Sequence, residues 1–524
     1  MKQTFKILVF LLLCLPMLIN AQSNDANEQC GTDFTPEMET RLLRNIATAK
    51  RLNLPSISRT TAYVPVKFHL VGNNDGSQRM NKSRVYPTIC ALNQKYADQD
   101  VIFYLAGMYE INNTILNTHS SKQTASFLMN NSKNQNFNAI NVFVCNSVTF
   151  PAVAGQPNLG GTVLGYYSPN GDYLAMKASE MTASSTTLVH EMGHFFSLAH
   201  PHNGWDQYQY STSNNPSQAP YGVNNLPPTT IGNGVPVELA DGSNCSTAGD
   251  YMCDTEADYN LGFGWGNCNY TGGAVDPTSA VLNPDESLYM GYFQDGCVSK
   301  FSGEQQAAIA ADLQTPRRNY LFTSSPASTT EITTAANLVS PANGATTPFH
   351  DEVFLNWDNV PGANRYFVQI ARNSSFSLIT EEVIVTNSIY MSNTLNAGSN
   401  YYWRVKAYNE VSICNGYSPA RQFTTSSFTV DTKEALSLTS VKLQPNFTSE
   451  GQIINLNIQT DAKIDATIRI VNVAGQVIRN MGNIAFQAGT HIHKIETQGL
   501  APGVYIVNLQ TAQGQINERL IITN

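Results

Sequence analysis

The sequence has few charged residues, and acidic ones outnumber basic ones. Charged residues make up 13% of the 524 residues, and the formal net charge is −9. A chain without a basic stripe cannot neutralise the phosphates of a nucleic acid, so nucleic-acid binding is excluded as a function class. The abundance of Asn, Ser, Thr and Gly in place of charged residues is typical of an extracellular bacterial protein.

Long apolar runs are also absent. The run at residues 7–18 follows a short basic start and precedes the small-residue cleavage point Asn20-Ala21. About a dozen apolar residues are too few to cross a bilayer, which takes about 20. With these flanking residues the run has the features of a secretory signal peptide. We therefore predict a signal peptide at residues 1–21, no transmembrane segment, and a soluble exported chain.

Cysteine is scarce, and no two cysteines have the Cys-x-x-Cys spacing of a structural zinc site. In an exported protein the cysteines that remain after removal of the signal peptide are candidates for disulfides. Four of them cluster, and we expect two bridges of undefined connectivity among Cys245, Cys253, Cys268 and Cys297. If Cys90 also pairs with Cys145, then Cys30 and Cys414 remain unpaired.

Histidine is rare, yet several of the 9 histidines fall in one short segment. The segment from His190 to His200 reads H-E-x-x-H-x-x-S-x-x-H. Because a helix turns every 3.6 residues or so, His190 and His194 share one face and can bind a single Zn²⁺, with Glu191 as general base. If the chain bends sharply after Phe196, His200 becomes a third ligand and leaves one position open for water. The alternative is an accidental match on a surface helix.

This segment resembles the zinc-binding motif of the metzincin peptidases, which have Gly at the position of Ser197. Glycine adopts positive φ freely, whereas serine does so at a cost of roughly 1 kcal/mol. We expect the bend to form and, on spacing, His200 to be the third ligand. His202, two residues further on, is the rival.

Two downstream segments make the resemblance narrower. Leu288–Tyr292 resembles the methionine turn of metzincins, and together with Gly249–Thr255 it resembles the pappalysin family over roughly residues 60–322. The resemblance implies that Met290 supports the floor of the site and that Tyr292 steadies the tetrahedral intermediate. It places Asp295 at the base of the S1′ pocket. A carboxylate there would select Arg, through bidentate pairing, and secondarily Lys at P1′.

The resemblance also implies structural calcium near Asp250 and Asp254, whose carboxylates supply the hard oxygens that Ca²⁺ prefers. The alternative is an acidic surface loop.

Latency would be needed for an exported endopeptidase, and residues 22–59 are the candidate pro-segment. Within it, Cys30 is the first candidate for a switch that occupies the zinc, because a thiolate is a strong zinc ligand. Asp33 is the second candidate, and an ordinary disulfide is the alternative for Cys30. Cleavage of the Ser58-Arg59 bond would fit the expected preference for Arg and would release the segment.

Periodicity predicts the organisation of the chain. Alternating apolar residues, helical spacings and the linker composition indicate an α/β (α+β) catalytic domain followed by two all-β sandwiches. The first sandwich resembles a fibronectin type III module, expected to be a spacer, and the second resembles the sorting domain of type IX secretion. The predicted segments are 1–21 (signal peptide), 22–59 (pro-segment), 60–322 (catalytic), 323–336 (linker), 337–427 (fibronectin-like) and 433–524 (sorting).

These features predict a secreted, monomeric zinc endopeptidase that hydrolyses protein or peptide substrates. It would be exported by the type IX machinery and then be released or held at the bacterial surface. The alternative from another class is a surface adhesin with an inactive peptidase-like domain. A second alternative is another metzincin branch with a different subsite preference.

Overall fold

The computed structural model describes residues 29–54, 61–134, 137–150, 161–206, 226–231, 235–427, 438–472, 476–511 and 514–523. The predicted signal peptide and the Ser58-Arg59 bond lie outside these ranges. The described chain consists of an N-terminal α/β region followed by two β-sandwiches, which confirms the predicted multidomain fold class.

The α/β region is built on one sheet. Its strands β1 to β7 are Gln29–Cys30, Ala62–Gly72, Val101–Asn112, Ile140–Cys145, Thr149–Phe150, Gly161–Ser168 and Tyr173–Lys177. They lie in the order β1-β6-β7-β4-β2-β3, with β5 paired to β6. Strand β6 is antiparallel to β7, whereas β1 joins β6 in parallel. Gln29 and Cys30 therefore extend the sheet at its edge.

The helices pack on this sheet and bring the site residues together. Helices α1 to α6 are Pro36–Leu52, Val85–Lys95, Thr114–Thr118, Lys122–Asn134, Thr187–Phe195 and Gly303–Leu313. Helix α1 begins where the Thr35 hydroxyl accepts a hydrogen bond from the Met38 N–H at 3.3 Å. Helix α6 begins with a capping box between Ser302 and Gln305. A two-stranded ribbon, β8 (Thr230–Ile231) and β9 (Val235–Pro236), lies between α5 and α6 in the chain.

The first sandwich packs a three-stranded sheet on a five-stranded sheet. Its strands β10 to β17 are Leu338–Ser340, Ala345–Thr346, Val353–Trp357, Arg365–Ala371, Ile379–Val385, Ile389–Ser392, Asn400–Tyr408 and Arg421–Thr424. Trp357 and Trp403 are buried in the core between the sheets.

The second sandwich repeats this plan of three strands on five. Its strands β18 to β25 are Leu438–Gln444, Phe447–Ser449, Ile453–Thr460, Ile464–Asn472, Val477–Phe486, Gly489–Glu496, Gly503–Thr511 and Gly514–Thr523. Ile454, Leu456 and Ile458 alternate along β20, and all three side chains are fully buried in the core between the sheets.

The first sandwich shares a core with the α/β region. Phe367 and Tyr408 pack on Tyr86 of α2, with ring centroids 5.0 and 5.2 Å apart. They belong, with Ile413, to the same buried cluster as the main sheet. The expectation that this module is a spacer is therefore wrong, because its five-stranded sheet buries apolar side chains against α2.

The disulfides follow the prediction in part. The expected two bridges form as Cys245–Cys253 and Cys268–Cys297. The third bridge joins Cys90 to Cys414, so the expected Cys90–Cys145 bridge and the free Cys414 were wrong. The cause is the packing just described: Cys90 is on α2, which meets the first sandwich, whereas Cys145 is a buried free thiol at the end of β4.

Across the described ranges, the helices are too short or too polar to cross a membrane.

Candidate metal centre

Helix α5 carries the first two histidines of the motif. His190 and His194 lie one turn apart on it, and their Nε2 atoms are 3.2 Å from each other. The whole helix is buried, from Thr187 to Phe195. Burial lowers the pKa of His190 to about 3, so the imidazole is in the neutral form that a metal requires.

The bend predicted after Phe196 is present. Ser197 has a φ of 78°, in the left-handed region that the motif otherwise gives to glycine. The Ser197 N–H donates to the His194 carbonyl at 2.9 Å and the Leu198 N–H to the Gly193 carbonyl at 3.0 Å. These two bonds are the Schellman pattern that ends a helix and redirects the chain. Asn45 of α1 donates to the Ser197 hydroxyl at 2.8 Å, so helix α1 contacts the turn.

The bend brings His200 back to the helix. Its Nε2 lies 3.0 Å from Nε2 of both His190 and His194. The Nδ1 atoms of the first two histidines form hydrogen bonds with backbone carbonyls. The partner of His190 is the Tyr289 carbonyl at 2.8 Å, and that of His194 is the Leu198 carbonyl at 2.8 Å. The Nδ1 atom of His200 instead contacts the carboxylate of Asp206. With every Nδ1 engaged, the three Nε2 lone pairs face one common point.

The rival His202 lies beside this trio and not in it. Its ring stacks on the His200 ring with centroids 4.6 Å apart. It also packs edge-to-face with the Tyr292 ring, with centroids 4.4 Å apart. It is fully buried, and its ring nitrogens make no hydrogen bond within the described residues.

Cys30 completes a four-donor set. Its Sγ lies 3.5 Å from the His194 Nε2, and the four donor atoms all lie within 4.8 Å of one another. Three imidazoles and one thiol fit a tetrahedral zinc ion. Burial raises the pKa of the Cys30 thiol well above its usual value, so ionisation there would need a cation. Asp33 is not part of the set.

Glu191 is fully buried next to the donor set. Its Oε2 accepts a hydrogen bond from the Thr32 hydroxyl at 2.8 Å, and that hydroxyl accepts one from the Tyr167 N–H at 2.8 Å. Burial raises the pKa of Glu191 to about 7, which suits a group that takes up and gives back a proton near neutral pH.

Met290 and Tyr292 lie under and beside the histidines. Met290 is fully buried and packs against α5 at Gly193, where a Cβ would collide with its sulfur. The Tyr292 ring is 4.9 Å from the His200 ring and 5.8 Å from the His190 ring. Burial raises the pKa of Tyr292, so its phenol stays protonated and can donate a hydrogen bond.

Asp295 lies at the N-terminal end of α5, beside Thr186. Its Oδ1 accepts hydrogen bonds from the Thr186 N–H at 2.9 Å and from the Thr186 hydroxyl at 2.5 Å. Lys95 lies near Asp295. Burial lowers the pKa of Lys95, and the negative charge of Asp295 opposes that shift. The structure thus places Asp295 at the N-terminus of the histidine helix.

The two predicted calcium ligands both accept hydrogen bonds in the described structure. Asp254 accepts hydrogen bonds from the Ser302 hydroxyl and the Glu304 N–H, both at 2.7 Å, at the start of α6. Asp250 accepts from the Met252 N–H and the Thr255 hydroxyl. Among the described residues neither belongs to a cluster with metal-ligand spacing.

The sequence alone did not point to several residues around the centre. The guanidinium of Arg41, on α1, donates a hydrogen bond to the Phe195 carbonyl at 2.7 Å, and its Nε lies 3.3 Å from the Asp312 carboxylate. The Asp312 carboxylate also forms an ion pair with the Nε of Arg318 at 2.7 Å. A signal was present in the amphipathic pattern of α1, where Arg41 and Asn45 interrupt the buried stripe with polar side chains. Asp206 follows a glycine turn after the histidines, and its role depends on the path of that turn.

Comparison with known proteins adds evidence for the C-terminal module. Residues 445–523 match the family described as the secretion system C-terminal sorting domain. Among solved structures, a promirolysin mutant from Tannerella forsythia is 19% identical, covers 56% of this chain and 97% of its own, and has a TM-score of 0.34. A Fn3-like protein from Clostridium thermocellum is 22% identical, covers 20% and 94%, and has a TM-score of 0.12. No curated protein matches. Residues 445–523 therefore form a sorting domain, and the chain is exported to the extracellular space or the cell surface.

Proposed function

We propose that this chain is a secreted zinc endopeptidase of the pappalysin type, made as a latent precursor. The observation that carries the proposal is the convergence of the Nε2 atoms of His190, His194 and His200 beside the buried carboxylate of Glu191. These three histidines would hold the zinc, and Cys30 would occupy the fourth position in the precursor.

Glu191 acts as the proton carrier of peptide hydrolysis. Zinc would supply Lewis acidity at the position that Cys30 vacates. Glu191 accepts a proton from the attacking water and delivers it to the leaving amine. The Tyr292 phenol donates a hydrogen bond to the developing oxyanion.

Asp295 provides the specificity for a cationic P1′ residue. Its position beside the N-terminus of α5, with Oδ1 fixed by Thr186, supports this role. A fixed carboxylate pairs best with the planar guanidinium of Arg and less well with Lys. Substrates with large apolar P1′ residues would leave the carboxylate unpaired in the pocket.

Latency rests on Cys30, with Asp33 as the second candidate. Cys30 is in the donor set and Asp33 is not. Cys30 also pairs with Gly165 of β6, and β1 thereby covers the side of β6 to which an extended substrate would add its own strand. Thr32 at the same time hydrogen-bonds the general base. We expect the Cys30→Ala precursor to be active without processing, whereas Asp33→Ala stays latent.

Structural calcium at Asp250 remains part of the proposal, with Glu238 as a further ligand. Glu238 is buried, and burial together with the charges of Asp250 and Asp258 raises its pKa to about 9. A divalent cation would relieve that repulsion. Asp254 is the less suitable ligand, because both of its oxygens cap α6.

Cleavage-site profiling tests the function. The mature protein is incubated with a peptide library, with and without chelator, and zinc is then restored. We expect cleavage before Arg and secondarily Lys, lost on chelation and regained with zinc. Glu191→Ala is the control and should lose turnover while retaining zinc. A wild type that binds zinc but cleaves nothing would favour a binding protein, and apolar P1′ residues would contradict the role of Asp295.

A further inference from the structure

The third histidine is held differently from the other two. His190 and His194 lie on a helix, and neutral backbone carbonyls hold their Nδ1 atoms. His200 lies beyond the helix, after a turn in which Ser197 has a φ of 78°. Its Nδ1 contacts a carboxylate, that of Asp206. A charged acceptor fixes the tautomer and raises the basicity of the imidazole more than a carbonyl does.

A tight turn returns Asp206 to His200. The Asn203 N–H donates to the His200 carbonyl at 2.9 Å, and the Trp205 N–H donates to the His202 carbonyl at 2.8 Å. Gly204 lies between them with a φ of 92°, and a Cβ there would be 2.5 Å from Ile231 Cδ1. Its N–H donates to Oδ2 of Asp206 at 2.9 Å. The glycine therefore allows the turn and orients the carboxylate.

The turn is anchored to the surrounding structure. Trp205 is buried and stacks on Tyr259 with ring centroids 4.6 Å apart and planes at 13°. The Asn203 side chain donates to the Gly249 carbonyl at 2.9 Å. Two anchors on either side of Gly204 leave Asp206 little freedom to move away from His200.

We infer that Asp206 is a positioning residue that fixes His200 as the third metal ligand. The inference rests on the proposed metal site. Its physical basis is that a histidine outside the helix, following a turn that serine occupies at a cost, lacks the support that α5 gives to His190 and His194.

A second cation shared by His200, His202 and Asp206 is the competing arrangement, because donor atoms of all three lie within 4.8 Å of one another. Two ligands at ~2.1 Å from one tetrahedral ion would be ~3.4 Å apart. Asp206 is in hydrogen-bond contact with His200, and the same oxygen is 4.0 Å from the His202 Nε2. These separations favour a hydrogen-bonded pair over a shared ion.

Zinc affinity tests the inference without relying on turnover. All proteins are full exported chains that carry Glu191→Ala, which prevents self-cleavage. The Asp206→Ala, Asp206→Asn and His202→Phe variants are compared with this parent by chelator competition, zinc stoichiometry, melting of the apo-protein and the Co²⁺ absorption spectrum. Asp206→Asn keeps an acceptor for the Gly204 N–H, and His202→Phe keeps a ring against His200.

We expect Asp206→Ala to weaken zinc binding by about 10- to 100-fold, the usual effect of losing such a partner, and Asp206→Asn by less. The Co²⁺ spectrum should change in both, and the apo-protein of Asp206→Asn should melt as the parent does. His202→Phe should bind one zinc with parental affinity.

Three results would overturn the inference. These are parental zinc affinity in Asp206→Ala, an equal loss in His202→Phe, or two zinc ions in the parent that fall to one on loss of Asp206. A parent that binds no zinc would instead refute the proposed metal site.

Discussion

The two β-sandwiches of this protein have the same plan but join the chain in different ways. Each packs three strands on five. The fibronectin-like module contributes Phe367, Tyr408 and Ile413 to the core of the α/β region. The sorting module has a core of its own, drawn from residues between 441 and 522. Architecture therefore does not decide whether a module is a spacer; the placement of its apolar side chains does.

The disulfides reinforce the difference. The Cys90–Cys414 bridge ties the fibronectin-like module to α2, whose C-terminal end leads to Tyr96 and its 3.2 Å hydrogen bond to the Val189 carbonyl on α5. The sorting module meets its neighbour through contacts such as the 3.8 Å ion pair between Arg519 and Glu352. We infer that the structural unit that carries the candidate metal centre extends to about residue 427.

Truncation should have the largest effect. A chain that ends at residue 336 loses the partners of Tyr86 and Cys90, and we expect it to aggregate or to fail to bind zinc. A chain that ends at residue 427 should fold, bind zinc and cleave peptides, and should lose only export by the secretion machinery. Both are measured by soluble yield, zinc content and melting temperature. Equal behaviour of the two truncated chains would break the comparison.

Removing one shared aromatic side chain should be nearly as disruptive. Tyr86 is buried between the α/β region and Phe367, so Tyr86→Ala should lower the free energy of unfolding by about 3–5 kcal/mol. The matched change in the sorting core, Ile458→Ala, should destabilise that module by about 2–5 kcal/mol. Denaturant titrations followed by zinc release should respond to the first change and not to the second.

A feature of the fold or of the candidate site can be predicted from the sequence when the interactions that determine it are between residues close together in the chain. The spacing from His194 to His200 was enough to prefer His200 over His202, because a helix and one turn determine where the side chain goes. The Cys90–Cys414 pairing spans 324 residues and depends on how two modules pack, which no local pattern records. Asp206 is an intermediate case, because its turn is local but its acceptor role appears only once His200 is in place.

Loss of the Cys90–Cys414 bridge should have an effect of intermediate size. The double variant Cys90→Ser/Cys414→Ser should be about 2–4 kcal/mol less stable, since the bridge restricts the unfolded chain. The double change avoids leaving one reactive thiol behind. Because Tyr86, Phe367 and Tyr408 still pack together, we expect the variant to fold and to retain zinc. If the bridge alone keeps the fibronectin-like module packed on α2, the double variant will lose zinc affinity, as we expect for the chain that ends at residue 336.

The smallest effect is expected at the junction between the two sandwiches. Arg519 and Glu352 are each about a quarter exposed and 3.8 Å apart, so solvent screens the pair. Glu352→Gln should therefore change the free energy of unfolding by less than about 1 kcal/mol, with no change in zinc content or peptide turnover. The measurement is a denaturant titration with separate probes for the two modules. A loss comparable with that of Tyr86→Ala would mean that the sorting module is also integral to the peptidase, and the contrast between the two sandwiches would no longer hold.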